Sequence, residues 1–276
     1  MPDRVNRRRR RKARRGKPAA AFDRAPVITN HEITVAGHPL RYRALAGMLP
    51  IRNDDGDAEA GMFYMAYFKD GVEDITKRPL MFSFNGGPGS ASLWLHLGAL
   101  GPKRVETLDD GMPPPPYRVI PNEYTWLNDT DLVFIDPVGT GYSRPKTTDV
   151  GKKFWSLKGD IESVGEFIRL FLTRFGRWSS PLFIVGESYG TTRAAGLAGL
   201  LIDRGIALNG ILLVSSILNF QTARFAKGND LPYILVLPTY TATAWYHRRL
   251  APDLQKDLLS TLAKVEGFAA GPYSRA

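Results

Sequence analysis

The sequence contains no cysteine among its 276 residues. This absence excludes disulfide bonds and thiolate metal sites, and it favours neither an oxidising nor a reducing compartment. Long apolar runs are absent too, because no window approaches the roughly 18 consecutive apolar residues of a membrane-spanning helix. With 43% hydrophobic and 11% aromatic residues, the chain can nevertheless bury the core of one large globular domain or two small ones.

Acidic residues are nearly missing from the N-terminal segment, which carries most of the net charge of +10. Residues 1–17 hold ten Arg and Lys against Asp3, a net charge of +9, which leaves +1 for residues 18–276. Such a block is typical of a disordered, self-repelling arm, predicted here over residues 1–25, that binds polyanions without sequence specificity. We therefore expect no specific nucleic-acid partner. Three interpretations of the arm stay open: an inert or mis-started extension, contact with an anionic surface, and a targeting role. The following "GKPAAAFDRAP" has no apolar stretch of about 7 residues, so no export signal is legible and the compartment stays unassigned.

Two strand patterns follow the basic arm. "ITVAGHPLRYRALAGMLPI" and "GMFYMAYFKD" alternate apolar and polar residues, which predicts an antiparallel hairpin and a further strand. From Leu80 the runs become short and nearly continuously apolar ("PLMFSF", "DLVFID", "PLFIVG", "GILLVS"), as in parallel strands buried on both faces. A helix is predicted over residues 160–175, where one stripe carries Ile161, Val164, Ile168, Phe171 or Leu172, and Phe175. The alternation indicates an α/β fold with a doubly wound sheet.

The domain organisation is predicted from where this alternation holds and where it fails. Residues 26–218 are interpreted as the α/β core, and the Pro-rich "LDDGMPPPPYRVIPNEYTW" within it as a surface excursion. Residues 219–276 mix proline, aromatic residues and short helical patches without a clear strand. We interpret them as the start of a lid or insertion over the sheet edge, and we expect the sheet to be incomplete at the C-terminus.

The pentapeptide Gly186–Gly190, "GESYG", is the strongest chemical signal. It matches G-x-S-x-G between an apolar strand and a helix-compatible run. A sharp strand-to-helix turn leaves no room for side chains at the glycines and exposes the serine hydroxyl, while the helix N-terminus favours developing negative charge. We therefore predict that Ser188 is a nucleophile, against the alternative of a solvent-facing turn serine.

A second glycine-rich turn, "NGGPGS" at Asn85–Ser90, follows an earlier apolar strand. Acyl transfer through a serine needs an oxyanion hole built from the amide after the nucleophile and an amide from such a loop. Tyr189 and Gly87 are the predicted donors. The alternative is a glycine-rich connection without chemistry, and the downstream serine elbow argues against it.

A third run, "DPVGTGYS" at Asp136–Ser143, also follows an apolar strand. It has neither the G-K-[ST] ending nor the G-x-G-x-x-G spacing of phosphate-binding loops. We interpret it as a wall of the same cleft, with a purely structural turn as the alternative.

Together, "NGGPGS", "DPVGTGYS" and "GESYG" resemble the motifs of the serine carboxypeptidase family of the α/β-hydrolase fold, in order and approximate spacing, over residues 80–214. The resemblance implies removal of C-terminal residues from peptide or protein substrates through an acyl-enzyme, often at acidic pH, with no cofactor and no metal. It assigns Ser188 as nucleophile and Gly87 and Tyr189 as oxyanion donors. It also assigns Asn85 and Glu187 to the terminal carboxylate of the substrate. Family members are often exported or found in acidic compartments, and the oligomeric state stays open.

The chain departs from the family pattern at three positions. Many members have Trp where Ser83 stands, Cys where Ser90 stands, and Glu where Ala99 stands. The cysteine change means only that the family's disulfides are not used. The change at Ala99 removes a second carboxyl group and weakens the expectation of an acidic pH optimum.

The general base and its acidic partner are the groups that the sequence does not supply. In this fold they follow the serine in the order Asp or Glu, then His. After Ser188 the chain has one histidine, His247 in "TAWYHRRL", which we interpret as a surface or lid residue. We therefore expect an N-terminal portion of a longer enzyme or a truncated product, weakly active or inactive alone, since removal of the hydroxyl proton makes serine nucleophilic.

Two competing interpretations stay open at this point. One is an aminopeptidase or esterase of the same fold, because such loops and serine elbows occur there also. The other is a non-catalytic protein that binds polyanions through its arginine-rich arm.

Overall fold

The computed structural model describes residues 22–275, so the basic residues 4–17 of the predicted arm lie outside the described residues. The strands are β1 Val27–Val35, β2 His38–Arg52, β3 Ala58–Lys69, β4 Leu80–Phe84, β5 Lys103–Val105, β6 Val119–Pro121, β7 Asp131–Ile135, β8 Arg144–Pro145, β9 Leu182–Glu187 and β10 Gly210–Val214. The α-helices are α1 Leu93–Leu95, α2 Thr148–Phe154, α3 Leu157–Phe175, α4 Tyr189–Asp203, α5 Leu231–Tyr246 and α6 Leu258–Ala270. A π-helical turn spans His96–Leu100, and 3-10 turns span Trp126–Asn128, Phe220–Thr222 and Tyr273–Arg275.

The opening strands form the predicted antiparallel hairpin. Its turn is Ala36–Gly37, with φ values of 49° and 80°, and Val35 pairs with His38. Positive φ at both central residues is the geometry of a two-residue turn that matches the twist of its strands. The sequence pattern predicts a turn that includes Gly37, His38 and Pro39; in the structure Gly37 belongs to the turn, whereas His38 and Pro39 are the first residues of β2.

The main sheet has the order β1-β2-β3-β7-β4-β9-β10, with β8 paired to β3. Strands β1 to β3 are antiparallel, and β4 runs parallel to both β7 and β9, as β10 does to β9. All five residues of β4 and of β7 are buried, as predicted for strands covered on both faces. The same prediction is wrong for β10, the last strand of this order, in which Ile211, Leu213 and Val214 are exposed. The predicted surface excursion, residues 108–126, contains β6, which pairs with β5 just before the excursion begins. Residues 106–118, between these two strands, are mostly exposed.

One face of the sheet packs against α3 and α4. Phe167, Phe171 and Leu197 join Phe82 and Ile184 in a continuous buried core. Helix α3 begins at Leu157, three residues earlier than predicted. Its start is fixed because the Ser156 side chain accepts a hydrogen bond from the Gly159 amide, and its end because Gly176 adopts φ 64°.

The opposite face carries a second buried cluster. Met81, Phe134 and Val185 of the central strands contact Leu95 and Leu127, which belong to the short helical segments after β4 and before β7. These segments therefore cover the face that α3 and α4 leave open. One consequence is that the chain just after β4 is anchored on the core through Leu95.

Residues 22–275 divide into two compact units, with the boundary between Val214 and Ser215. In the second unit, α5 is a continuous helix of 16 residues rather than the short patches expected, although Pro238 lies inside it. Trp245 and Gln255 join the segments around α5 and α6 through two hydrogen bonds of 3.0 and 2.7 Å. The lid interpretation and the predicted incompleteness of the sheet stay predictions. Among the helices of residues 22–275, none combines the length and apolarity needed to cross a membrane.

Candidate active site

Three glycine-containing loops leave the same edge of the sheet. Because β7, β4 and β9 are adjacent and parallel, their carboxyl ends place Asp136, Asn85 and Ser188 side by side. In open parallel sheets this edge is where ligands bind. The topology thus brings the three sequence motifs together from positions about 50 residues apart.

The strand-to-helix turn at Ser188 has the geometry that the G-x-S-x-G pattern predicts. Ser188 lies between the end of β9 and the start of α4 with φ 58° and ψ −126°. Its amide donates to the carbonyl of Val214 at 2.9 Å, and its carbonyl accepts from the amide of Thr191 at 2.8 Å. A Cβ at Gly186 would collide with the carbonyl of Gly190, so this turn closes only around glycine.

The loop after β4 lies directly on this turn. A Cβ added to Gly86 would collide with the amide nitrogens of Tyr189 and Gly190. A Cβ at Gly190 would in turn lie 2.9 Å from the Phe84 carbonyl oxygen. Gly87 follows with φ 107°. The backbone contact explains why both motifs need glycine, and it places the loop amides against the helix N-terminus of the serine turn.

A cleft of about 440 Å³ opens at this junction. It is lined by Asn85, Gly87, Ser90, Trp94, Leu95, Glu187 and Ser188. Four of the five predicted site residues therefore line one cavity. The fifth, Tyr189, is buried, and its side chain turns away to donate a 3.0 Å hydrogen bond to Asp160. That burial, together with the Asp160 charge, raises the pKa of Tyr189 to about 12.

Asn85 and Glu187 contact each other within the cleft. The Asn85 side-chain nitrogen donates to Glu187 Oε2 at 3.0 Å, and Asn85 Oδ1 accepts from the Leu95 amide at 3.0 Å. Asn85 is 1% exposed, whereas Glu187 is only partly buried. The carboxamide is thus held from both sides next to a carboxylate that faces the cavity.

The loop Asp136–Ser143 has a different position from the one predicted. Of the described residues, none from 136–143 lines the cleft. Instead the Asp136 carboxylate accepts hydrogen bonds from the amides of Ser92 at 3.0 Å and Tyr142 at 3.3 Å. Burial raises the pKa of Asp136. This loop therefore supports the segment after Gly87 rather than forming a wall of the cavity.

The described histidines do not complete a catalytic dyad with Ser188. The ring hydrogen bonds found within residues 22–275 join His31 to Thr29 and His96 to Tyr67, and none reaches Ser188. His247 is exposed at the C-terminal end of α5, in the second unit, with its ring against Tyr246.

Sequence reasoning missed two charged residues beneath the site, Arg193 and Asp160. They form a 2.8 Å ion pair between α4 and α3 and are 1% and 7% exposed. An arginine in "TTRAAGLAG" gives no sequence signal of burial, because charged residues are seldom fully buried. The one available signal is its spacing, since Arg193 is one helical turn beyond Tyr189 and shares its face.

A profile of the family described as "Serine carboxypeptidase" matches residues 36–247. The chain belongs to the serine carboxypeptidase family. Serine carboxypeptidase-like 36 of Arabidopsis thaliana is 33% identical over 166 residues, which cover 58% of this chain and 33% of that protein. The pheromone-processing carboxypeptidase KEX1 of Saccharomyces cerevisiae is 32% identical over 158 residues, 52% of this chain and 20% of that protein. The matches therefore span a third or less of these relatives' length.

The crystal structure of the prohormone-processing carboxypeptidase KEX1(delta)p from Saccharomyces cerevisiae matches with a TM-score of 0.55 and 20% identity. The match covers 81% of this chain and 53% of that chain. At this identity the likeness concerns the fold, and with the strand order above it confirms the α/β-hydrolase fold that the motifs predict.

Proposed function

We propose that this member of the family acts as a serine carboxypeptidase, releasing C-terminal residues from peptide or protein substrates through an acyl-enzyme on Ser188. The observation that carries the proposal is the hydrogen-bonded pair of Asn85 and Glu187 in the same cleft as Ser188. An amide donor and a carboxyl group beside the nucleophile suit a substrate that ends in a carboxylate one residue beyond the scissile bond. An esterase or aminopeptidase has no need of this pair.

In the proposed reaction, Ser188 Oγ attacks the carbonyl carbon of the last peptide bond. Negative charge develops on the carbonyl oxygen, where the amides of Gly87 and Tyr189 donate hydrogen bonds. The C–N bond breaks, the leaving amine takes a proton, and water later hydrolyses the ester to regenerate the hydroxyl. The chemistry is acyl transfer throughout and uses no cofactor.

The described residues include no histidine positioned to remove the proton from the Ser188 hydroxyl. No described histidine is hydrogen-bonded to Ser188, and without a base a serine hydroxyl is a poor nucleophile. We therefore expect turnover by this chain alone to be weak. Binding of the substrate's end and slow reaction of Ser188 with a strongly electrophilic reagent need fewer groups, and both can be measured separately.

The test uses two N-blocked peptides of identical sequence, one with a free C-terminal carboxyl group and one with an amide. Calorimetry should show tighter binding of the free acid, and Asn85→Ala should abolish the preference. A fluorophosphonate reagent should label Ser188, as mass spectrometry of the peptide containing residues 186–193 would show, and Ser188→Ala should prevent labelling. Equal binding of acid and amide would exclude the carboxypeptidase assignment, and labelling at another residue would exclude Ser188.

Release of the C-terminal residue is measured in parallel. Turnover that is easily detected and disappears in Ser188→Ala would support the assignment while contradicting the expectation of weak activity.

A further inference from the structure

A buried arginine lies directly beneath the proposed oxyanion hole. Arg193 extends from α4, is 1% exposed, and donates from Nε to Asp160 Oδ2 on α3 at 2.8 Å. A buried charge with a single partner is costly, so such pairs persist when further hydrogen bonds satisfy the donors. The remaining contacts of Arg193 therefore indicate what it does.

Two aromatic rings hold the guanidinium in place. Its central carbon lies 5.0 Å from the ring centre of Phe84 and 5.1 Å from that of Tyr189. The hydroxyl of Tyr189 donates to the same Asp160 oxygen that accepts from Arg193. Arg193 thus contacts the last residue of β4 on one side and the first residue of α4 on the other.

The guanidinium also reaches the loop after β4. Arg193 Nη1 donates to the backbone carbonyl of Asn85 at 2.8 Å. This carbonyl belongs to the peptide that joins Asn85 to Gly86, and the next peptide along the chain carries the amide of Gly87. Because guanidinium is planar and rigid, its bonds to Asp160 and Asn85 fix this peptide relative to α3 and α4.

We propose that Arg193 is a positioning residue that aligns the Gly87 amide with the Tyr189 amide, so that both point at one oxyanion. The inference rests on the proposed function, in which those two amides are the donors. The Asn85 side chain does not depend on Arg193, because the Leu95 amide and Glu187 hold it independently. Loss of Arg193 should therefore weaken transition-state stabilisation much more than binding of a terminal carboxylate.

Arg177 provides a matched control. It is also 1% exposed and pairs with a buried aspartate, Asp131, at 2.6 Å. Asp131 is the first residue of β7, so this pair lies at the opposite end of the strands from Ser188. Arg193→Met and Arg177→Met each remove one buried guanidinium, although Asp131 keeps a second arginine partner, Arg78, at 3.2 Å. Of the two arginines, Arg193 is the one whose guanidinium donates to the loop after β4.

The experiment measures the rate of fluorophosphonate labelling at Ser188 and the affinity for an N-blocked dipeptide acid. Arg193→Met should slow labelling about 100-fold, as loss of an oxyanion donor does, while dipeptide affinity changes less than about 3-fold. Arg177→Met should change both by less than about 3-fold. Equal slowing in the two variants, or no slowing in Arg193→Met, would overturn the proposal. If Arg193→Met does not fold, Arg193→Lys replaces it. Lysine keeps the positive charge but lacks the planar guanidinium that bonds to Asp160 and Asn85 at once, so labelling should slow about tenfold.

A second readout does not depend on chemistry at Ser188. Amide hydrogen exchange at residues 86–92 should be faster in the Arg193 variant than in wild type and unchanged in Arg177→Met. If wild type fails to react at Ser188, the proposed function fails, and the exchange pattern alone decides the role of Arg193. Equal exchange at residues 86–92 in both variants would overturn it.

Discussion

Asn85 and Glu187, 102 residues apart in the chain, share a hydrogen bond of 3.0 Å in which the carboxamide donates to the carboxylate. The bond joins the loop after β4 to the residue just before the proposed nucleophile. In the proposed function, a substrate carboxylate that binds at this pair meets the Glu187 carboxyl group as well as the Asn85 amide. Two carboxylates in contact do not both stay charged cheaply, so the complex is expected to hold one shared proton.

The first prediction concerns the pH dependence of this contact. The dissociation constant of an N-blocked peptide acid should rise about tenfold per pH unit where the separate partners are deprotonated but the complex still holds the shared proton, because binding there requires uptake of one proton. Glu187→Gln needs no such proton, so its dissociation constant should be nearly independent of pH. Calorimetric titrations between pH 4 and pH 8, with the matched peptide amide as control, measure both slopes. Parallel slopes in wild type and variant would show that Glu187 does not hold the proton.

The second prediction concerns the backbone of Ser188. Its φ of 58° and ψ of −126° are those of the first central position in a type II′ turn, which favours glycine. Ser188→Ala and Ser188→Gly should both prevent labelling, but the glycine variant should have the larger free energy of unfolding, by about 1 kcal/mol. Urea unfolding of the two variants measures the difference.

The control for Ser188 is Thr173, an exposed residue in the last turn of α3. There the order should reverse, with Thr173→Ala more stable than Thr173→Gly by about 1 kcal/mol, because glycine is unfavourable within a helix. A glycine variant at Ser188 that is less stable than the alanine variant would contradict the strained geometry.

The third prediction concerns Gly86, where the loop after β4 contacts the turn that contains Ser188. Gly86→Ala places a methyl group against the backbone nitrogens of Tyr189 and Gly190. Backbone atoms cannot move aside by a change of rotamer, so the clash is relieved only if one of the two loops shifts. We expect a loss of about 1–3 kcal/mol in unfolding free energy, as for other overpacked sites, together with loss of labelling at Ser188. Gly98→Ala is the matched control, because no atom lies within 4 Å of its added Cβ. Similar behaviour of the two variants would contradict the close approach.

The strands and the glycine-dependent turns could be predicted from sequence because their causes are local. A run such as "DLVFI" indicates burial by itself, and Gly186 and Gly190 are required by a turn of five residues. The grouping of Ser188 with Asn85 and Gly87 was predicted from the needs of acyl transfer and from the family motifs, and the structure achieves it because β4 and β9 are adjacent parallel strands. These parts of the site needed no knowledge of side-chain packing.

The supporting residues could not be predicted in this way. Arg193 and Asp160 are 33 residues apart on two helices, and only the packing of α3 against α4 brings them together. The sequence predicted that the loop beginning at Asp136 forms a wall of the cavity. In the structure, the Asp136 carboxylate instead accepts hydrogen bonds from the amides of Ser92 and Tyr142. Which face of a loop a side chain takes depends on tertiary contacts, and a single sequence does not contain that information.

The last prediction concerns His96, the first residue of the π-helical turn that follows α1. Its ring stacks on Phe134 at 4.5 Å, and Nε2 shares a hydrogen bond of 2.6 Å with the Tyr67 hydroxyl. Burial lowers the pKa of His96 from 6.5 to about 4. The unfolded chain therefore binds a proton at His96 below about pH 6.5, whereas the folded chain stays neutral there until about pH 4.

Because the unfolded state binds more protons in this window, stability must fall as the pH falls from about 6.5 to about 4, and this contribution levels off below it. The lowered pKa corresponds to about 3 kcal/mol over the whole window. His96→Gln can still hydrogen-bond to Tyr67 but does not titrate. Urea unfolding at several pH values should therefore show that the wild-type free energy declines by about 3 kcal/mol more than that of the variant between pH 7 and pH 4. Other titrating groups contribute equally to both proteins, so parallel curves would mean that His96 accepts a proton in the folded state as readily as in the unfolded one.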